Sequence, residues 1–393
     1  MTERAIYAAL LAALIPLTGC RSREAPTYPA NYREYAYVTN GGSNTVTVLD
    51  VMNLRQDRVI PVGVDPTGVA VNPRRNEVYV VNTGSDSVSV IDAEKKAVVA
   101  TISVRQRPYF MSVSPDGRRG YVADSGSNTV SVIDLDKRRV ISTIGVGEAP
   151  GMAAISPDGK TLVVSNRIGG SASIIDATAN AKTLRVRSVW PGCPGSTDIA
   201  ILPDSSKAFV SCSGGHQVMA LQLATPSGPR ANNAPVRTDA LLTLLDVGKT
   251  PVSLALKPDG GEIYAVNYDG GSVSEIDTST NEVGGAYFVG THPDRGLIAG
   301  DDSTLYVSDF DADSLSIFSI DDGQLVGSSR TGDGPDAMAF SKAGDLLFAV
   351  DARSGDVAVV RTATHSMLTI LPAGSRPNDI AIKDFLVKPR HRL

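Results

Sequence analysis

A short strand-like segment recurs along the chain at a nearly constant interval. From its first copy, which ends at Asn40, the steps to the following copies are 42, 42, 42, 46, 55, 42 and 42 residues. The eight residues at this marker position are Asn40, Asn82, Asp124, Asn166, Cys212, Asn267, Asp309 and Asp351. A repeat of this length indicates a small unit that buries its apolar face only against neighbouring units.

Each repeat has the pattern of several short strands. After the marker position come a polar turn and strict apolar–polar alternation, as in Thr45–Val48, which is the period of a half-buried strand. Ten residues after the marker an aspartate closes this strand in five of the eight units: Asp50, Asp92, Asp134, Asp176 and Asp277. No helix-length amphipathic segment competes with this interpretation.

A proline begins the next part of every unit, and glycine usually stands three residues before it. The prolines are Pro66, Pro108, Pro150, Pro194, Pro251, Pro293, Pro335 and Pro377. An apolar stretch follows each proline, and then comes a turn such as Ser114-Pro115-Asp116-Gly117, which suits the dihedral preferences of proline and glycine. Each unit is therefore predicted to be four antiparallel strands, A to D, with the small residues of strand A at a crowded centre.

The two ends of the repeat array are complementary. The first unit has strands B, C and D, whereas Pro377 leads only into a strand A, predicted at Asn378 to Ile382. This last strand is expected to complete the first unit and so remove the exposed edges of an open array. The sequence predicts an all-β, eight-bladed β-propeller, with seven blades as the alternative if a unit near the longer steps is degenerate.

The repeated strand resembles a known family. Tyr37-Val38-Thr39-Asn40, with its counterparts at 79–82 and 121–124 and the recurring Ser-Val-Ile-Asp, is similar to the YVTN family of β-propeller repeats. The resemblance covers residues 32–384 and leaves 385–393 as a tail. Members of that family are usually described with seven blades, so eight is a departure.

The N-terminus has the pattern of a signal peptide, expected over residues 1–19. Arg4 precedes an apolar run from Ala5 to Leu17 that is short for a membrane-spanning helix, the alternative interpretation. Leu17-Thr18-Gly19-Cys20 resembles a bacterial lipobox, which implies lipidation of Cys20 and a tether over residues 20–31. The resemblance implies a periplasmic or extracellular position on the cell envelope, and Arg21 favours the outer membrane where one exists.

The two remaining cysteines bear on a disulfide, and the charge composition bears on the class of partner. Cys193 and Cys212 are an even pair in an oxidising compartment, so a disulfide and two buried free thiols both stay open. The chain has 37 basic and 42 acidic residues without a basic run, which makes nucleic acid an unexpected partner. Nothing in the sequence requires a cofactor.

The face shared by the D-to-A and B-to-C loops is the predicted location of a site, because departures from the repeat there are not explained by packing. Such a concave, mixed rim suits an anionic or sugar-like ligand or a protein partner. The candidate residues are Arg107, Tyr109, Arg167, Trp190, His216, Tyr268, His292, Asp294, Arg295, Asp336, Arg376 and Asp379. For any one of them, an ordinary solvated loop residue is the competing interpretation.

One acidic run partly imitates a calcium loop. Asp309, Asp311 and Asp313 alternate as hard-cation ligands do, but Ser314 and Ile320 occupy the positions where that loop requires glycine and glutamate. A solvated acidic turn without a metal is therefore favoured.

Three functions fit these features. A binding or scaffold propeller on the cell envelope is favoured, because no catalytic constellation is recognisable. The first alternative resembles the propeller lactonases, sugar-lactone hydrolases in which His292, Arg295, Arg107 or His216 would act as acid–base or anion-holding groups. The second is a redox propeller associated with haem or quinone, for which the chain offers His216 and His292 on the channel face but no Cys-x-x-Cys-His.

Overall fold

The computed structural model describes residues 27–178, 183–224 and 237–387. The predicted signal peptide and Cys20 lie outside these ranges. From residue 31 onward the described chain forms eight four-stranded antiparallel sheets. The described ranges contain two short 3-10 turns, Thr83–Ser85 and Ser213–Gly215, and no helix in them is long and apolar enough to cross a membrane.

Every sheet has the strand order A-B-C-D, and the A strands of neighbouring sheets contact one another around the axis. The A strands are β4 (Pro66–Val71), β8 (Pro108–Val113), β12 (Pro150–Ile155), β16 (Ser196–Ile201), β20 (Pro251–Leu256), β24 (Pro293–Ile298), β28 (Pro335–Phe340) and β32 (Pro377–Leu386). The B strands are β1 (Tyr32–Asn40), β5 (Glu77–Asn82), β9 (Arg119–Asp124), β13 (Thr161–Asn166), β17 (Lys207–Cys212), β21 (Glu262–Asn267), β25 (Thr304–Asp309) and β29 (Leu346–Asp351). The C strands are β2 (Thr45–Asp50), β6 (Ser87–Asp92), β10 (Thr129–Asp134), β14 (Ser171–Asp176), β18 (Gln217–Gln222), β22 (Ser272–Asp277), β26 (Ser314–Ser319) and β30 (Asp356–Arg361). The D strands are β3 (Arg55–Pro61), β7 (Ala97–Ser103), β11 (Arg139–Gly145), β15 (Val186–Pro191), β19 (Ala240–Asp246), β23 (Glu282–Phe288), β27 (Gln324–Arg330) and β31 (Ser366–Pro372).

The first blade is completed by the last strand, in the order β3-β2-β1-β32. Strand β32 pairs antiparallel with β1 from Tyr32 opposite Leu386 to Asn40 opposite Pro377, so it is longer than the predicted Asn378–Ile382 segment. We number this blade 1 and count onward to blade 8, which contains β28–β31. The eight-bladed propeller and its closure are confirmed.

The hydrophobic core is divided among the interfaces between blades. Eight clusters of buried side chains lie one at each interface, as where Tyr79 and Val88 of blade 2 pack with Met111 and Val122 of blade 3. The tyrosine of the repeated strand is fully buried at Tyr79. Burial of such a side chain stabilises a fold by roughly 2–3 kcal/mol, so each blade depends on both neighbours.

The marker residue connects strand B to strand C and to the preceding D-to-A turn. Asn82 Nδ2 donates hydrogen bonds of 3.1 and 3.0 Å to the hydroxyls of Ser87 and Ser89, and its Oδ1 accepts one from Gly63 N–H. A Cβ on Gly63 would lie 2.6 Å from Asn82 Cγ, which explains the glycine three residues before the proline. Asn40, Asn166 and Asn267 donate the same pair of bonds to strand C.

Three blades carry a buried aspartate at the marker position. Asp124 accepts hydrogen bonds from Thr129 and Ser131, Asp309 accepts one from Ser316, and Asp351 accepts one from the backbone N–H of Ala358. Burial raises the pKa of these carboxyls to about 6, 7 and 8, respectively, because the charged form loses its hydration.

Blade 5 uses a covalent link at the same place. Cys212 occupies the marker position and forms a disulfide with Cys193, which lies 19 residues earlier in the D-to-A connection. The disulfide thus joins the two segments that Asn82 and Gly63 join in blade 2. Strand A of this blade begins two residues after the proline marker Pro194, since Ser196 pairs with Cys212 as Pro66 pairs with Asn82.

Candidate binding cavity at the propeller axis

A cavity of about 450 Å³ lies at the axis, on the side of the D-to-A and B-to-C loops. Its wall is formed mainly by the two or three residues that follow the first position of strand A, because those positions converge from all eight blades. Among the candidates predicted from sequence, the lining includes Tyr109, Arg167, Asp294, Arg295, Asp336 and Asp379. A volume of this size accommodates a small organic molecule.

Two further cavities lie on the same face. Arg107 lines one of about 320 Å³ that shares Tyr109 and Arg167 with the axial cavity. Arg376 lines the other, of about 540 Å³, together with Phe310 and Arg353. The three cavities share residues with one another, so the candidate face is concave over several blades.

Arg295 of blade 7 provides the central cation of the axial cavity. Its Nε lies 3.6 Å from Asp336 Oδ1 and 3.9 Å from Asp294 Oδ2, both longer than a hydrogen bond, and its side chain is 43% exposed. Burial lowers the pKa of this guanidinium, but the carboxyls of Asp336, Asp294, Asp198 and Asp379 outweigh it and raise the pKa. The Arg295 guanidinium makes ion pairs with the described residues and keeps its N–H groups available to a ligand.

Asp294 and Asp336 form a carboxyl pair beside Arg295. They lie within hydrogen-bonding reach of each other on neighbouring blades, and Asp336 Oδ1 is buried with no donor among the described residues. Burial first, and then the like charge of Asp294, raise the pKa of Asp336 to about 8. The raised pKa favours the protonated form of Asp336, which can donate a hydrogen bond as well as accept one.

Asp198 and Asp379 line the cavity but are committed to the backbone. Asp198 Oδ2 accepts from Leu254 N–H at 2.8 Å and Oδ1 accepts from its neighbour Ile199. Asp379 likewise accepts hydrogen bonds from the backbone N–H groups of Val69 and its neighbour Ile380. Burial raises the pKa of the Asp379 carboxyl to about 6. These two carboxylates tie the inner strands of adjacent blades together.

The wall opposite Arg295 is largely apolar, with Arg167 of blade 4 as its charged residue. In an eight-membered ring blades 3 and 4 stand across from blades 7 and 8, and they contribute Tyr109, Phe110 and Met152 to the lining. Sequence reasoning missed Phe110, Met152 and Asp198. All three occupy the second position after the first residue of strand A. For Asp198 this position can be recognised only when the two-residue shift of strand A in blade 5 is known.

A polar cluster on the rim joins blades 6, 7 and 8. His292 stacks on Tyr268 with ring centroids 4.7 Å apart, and its Nδ1 lies 2.5 Å from Asp311 Oδ2. Asp311 Oδ1 accepts a hydrogen bond of 2.5 Å from Arg353, whose guanidinium lies 4.3 Å from the centre of the Phe310 ring. The neighbouring Arg353 and His292 lower the pKa of Asp311.

Trp190 and His216 lie away from the axial cavity. Trp190, on outer strand β15, packs against the cluster between blades 4 and 5. His216 adopts a positive φ of 55° in a B-to-C turn, and its Nδ1 accepts a hydrogen bond from the Thr250 N–H. Among the described residues no histidine lines the axial cavity.

The three alternating aspartates do not converge on one point. Asp309 is buried in the marker position rather than solvated, Asp311 pairs with His292 and Arg353, and Asp313 Oδ1 accepts from Gly334 N–H. Within the described ranges no group of three or more His, Cys, Asp or Glu residues is arranged to hold a metal ion.

Comparisons with known proteins agree on the fold. Residues 13–158 match the model of the YNCE-like beta-propeller, and residues 297–372 match that of the lactonase with a 7-bladed beta-propeller. No curated protein matches the chain.

Three solved structures illustrate the similarity. Hydrazine synthase from Kuenenia stuttgartiensis aligns with a TM-score of 0.58 at 24% identity over 83% of this chain and 92% of that one. The dihydro-heme d1 dehydrogenase NirN aligns with a TM-score of 0.73 at 15% identity over 91% and 76%. A putative 6-phosphogluconolactonase from Bacteroides uniformis aligns with a TM-score of 0.59 at 16% identity over 81% and 98%. These likenesses establish the class, a β-propeller, and no more, because propellers of this architecture have varied roles.

Proposed function

We propose that this chain is a binding propeller of the cell envelope and that its axial cavity holds a small polar molecule. The observation that supports this is Arg295, which lines the cavity and contacts Asp336 and Asp294 only at the longer ion-pair distances of 3.6 and 3.9 Å. A purely structural role for this guanidinium would be better served by direct hydrogen bonds than by these longer ion pairs.

Thermal-shift screening of the purified protein against small polar molecules tests this function. A ligand is expected to raise the melting temperature of the wild type and not of R295A, while R330A, a change at an exposed position on outer strand β27, preserves the shift. Ligand shifts that are equal in R295A and the wild type would place binding elsewhere.

The lipid anchor is a second part of the proposal. It rests on Leu17-Thr18-Gly19-Cys20, which resembles a lipobox. Acyl chains on Cys20 would hold the propeller at a membrane, since each buried CH₂ contributes about 0.8 kcal/mol. The full-length protein is expected in the membrane fraction and the C20S variant in the soluble fraction; equal fractionation contradicts the anchor.

A lactone hydrolase is the second candidate function. It is supported by the His292–Asp311 pair, in which a carboxylate on Nδ1 leaves Nε2 to act as a base toward water, and by the partial match to the lactonase model. Water would add to the lactone carbonyl and the ring C–O bond would break, giving a hydroxy acid. Hydrolysis of 6-phosphogluconolactone or gluconolactone that is lost in H292Q supports this function, and rates equal to the uncatalysed background exclude it.

A further inference from the structure

The axial cavity has two unlike walls, and this restricts its ligand. Blades 7 and 8 supply Arg295 and the Asp294–Asp336 pair, whereas blade 3 supplies Tyr109 and Phe110 across the axis, next to Arg167 of blade 4. A ligand that fills the cavity therefore meets hydrogen-bonding groups on one side and aromatic carbon on the other.

The polar groups available to a ligand are fewer than the lining suggests. Asp198 and Asp379 each accept two backbone hydrogen bonds, from Ile199 and Leu254 and from Ile380 and Val69, all between 2.8 and 2.9 Å. Their oxygens are thus engaged in holding the inner strands. The charged groups left for a ligand are the guanidinium groups of Arg295 and Arg167 and the carboxyls of Asp294 and Asp336.

The charge of the cavity disfavours ions of either sign. Four carboxyl groups line it against the two guanidinium groups of Arg167 and Arg295, so an anion would enter a site that already has excess negative charge. A cation would lie beside Arg295, the central positive charge. The raised pKa of Asp336 lessens the negative charge beside Arg295, and its carboxyl can both donate and accept a hydrogen bond.

We infer that the cavity binds an uncharged, polyhydroxylated ring, a neutral saccharide, with hydroxyl groups on Arg295, Asp294 and Asp336 and one face against Tyr109 and Phe110. This inference rests on the proposed binding function. A sugar ring has hydroxyl groups around its edge and C–H groups on its faces, which match the two walls of the cavity. A bidentate group such as Arg295 or a carboxylate pairs well with adjacent hydroxyls.

Calorimetric titration of the full chain with matched rings tests the class of ligand. Neutral glucose, galactose, mannose and their disaccharides are compared with glucosamine and glucuronate, which keep the glucose ring and add one positive or one negative charge. At least one neutral sugar is expected to bind, and the charged analogues are expected to bind at least ten-fold more weakly than the neutral parent. Equal or tighter binding of a charged analogue overturns the inference.

Variants locate the binding. Y109A and D336A are each expected to weaken the neutral sugar at least ten-fold, whereas D136N, which changes an exposed carboxylate paired with Arg75 on the far face, leaves the affinity unchanged. Circular dichroism and the melting temperature verify folding, and Y109F, which keeps the ring, should restore most of the affinity lost in Y109A. Sugar affinity that neither cavity variant alters overturns the inference.

The remaining outcomes separate the two proposals. If no sugar binds but another small molecule stabilises the wild type and not R295A, the saccharide inference fails and the binding function survives. If neither sugars nor any other small molecule bind, both fail.

Discussion

Asp379 Oδ2 accepts a hydrogen bond of 2.8 Å from the backbone N–H of Val69, a residue 310 positions earlier in the chain. Asp379 lies on β32, the strand that completes blade 1, and Val69 lies on the inner strand of blade 2. The bond therefore fastens the closing strand to the next blade. Asp198 and Leu254 repeat it between blades 5 and 6, on the opposite side of the ring.

Removal of the closing strand is expected to cost far more stability than its length suggests. A chain ending at Gly374 loses β32, exposes the edge of β1 and opens the interfaces of blade 1 with both neighbours, so roughly 5 kcal/mol or more is lost. Chemical denaturation measures the loss, and a chain ending at Val387 serves as the control. A Gly374 truncation that unfolds at the same denaturant concentration as the control would contradict closure.

The Asp379 carboxylate is expected to stabilise the ring through its acceptor oxygens. D379A leaves the Val69 N–H without its partner and should lower the free energy of unfolding by about 1–3 kcal/mol. D379N keeps one acceptor oxygen and should recover about half of that loss. Equal unfolding free energies for D379A and the wild type would show that the bond contributes nothing.

The marker asparagine is expected to be one of the most sensitive polar positions. N82A removes the bonds to Ser87, Ser89 and Gly63 in a fully buried place, and a loss of roughly 2–4 kcal/mol follows from the unpaired groups left behind. N76A removes an exposed bond to Glu94 and should cost less than about 0.5 kcal/mol. Thermal or urea unfolding of the two variants compares them directly, and similar losses would refute the assignment.

Asp351 is expected to make stability depend on pH. Burial, and then the nearby Asp356, raise its pKa from 3.8 to about 8, so between these values the folded state holds a proton that the unfolded state has released. The contribution is complete below about pH 4 and is lost as the pH rises through about 8.

Replacement of Asp351 by asparagine, the residue of four other blades, tests this sign. D351N should unfold at a higher temperature than the wild type at pH 9, with a smaller difference at pH 5, because an amide has no proton to lose. Melting temperatures measured from pH 4 to 9 give the slope, and D136N is the control. A slope unchanged in D351N would assign the pH dependence to other groups.

The Cys193–Cys212 disulfide is expected to stabilise blade 5 by about 2–4 kcal/mol, since it closes a short loop and replaces the polar link of other blades. Reducing agent should lower the melting temperature of the wild type to that of the C193S/C212S double variant. The double variant itself should not respond to the reductant. A wild type that is insensitive to full reduction, verified by thiol titration, would contradict this role.

Sequence periodicity was sufficient to predict the blades because every blade repeats the same local chemistry. Asn82 and Asp124 differ in chemical type, yet both bridge strand B to strand C. The 42-residue interval between them can therefore be recognised from the sequence alone. The proline marker was wrong for one strand start: Pro194 lies in a turn, and strand A begins at Ser196.

The site was predicted only in part, because the sequence shows which residues depart from the repeat and not where they point. Asp294, Arg295 and Asp336 do line the axis, whereas Trp190 packs between blades, since a D-to-A departure can face the core as well as the channel. Arg353 and Phe310 were missed because their importance comes from contacts across blades 7 and 8 that no single repeat contains.

The pairing of β1 with β32 also determines when the ring can close during biosynthesis. Thr39 and Asn378 contact each other across 339 residues, which a ribosome needs on the order of tens of seconds to add. Until β32 has been made, one edge of β1 has no partner strand in the chain. The ring is therefore completed at the end of synthesis, and until then this edge of β1 is open to incorrect pairing.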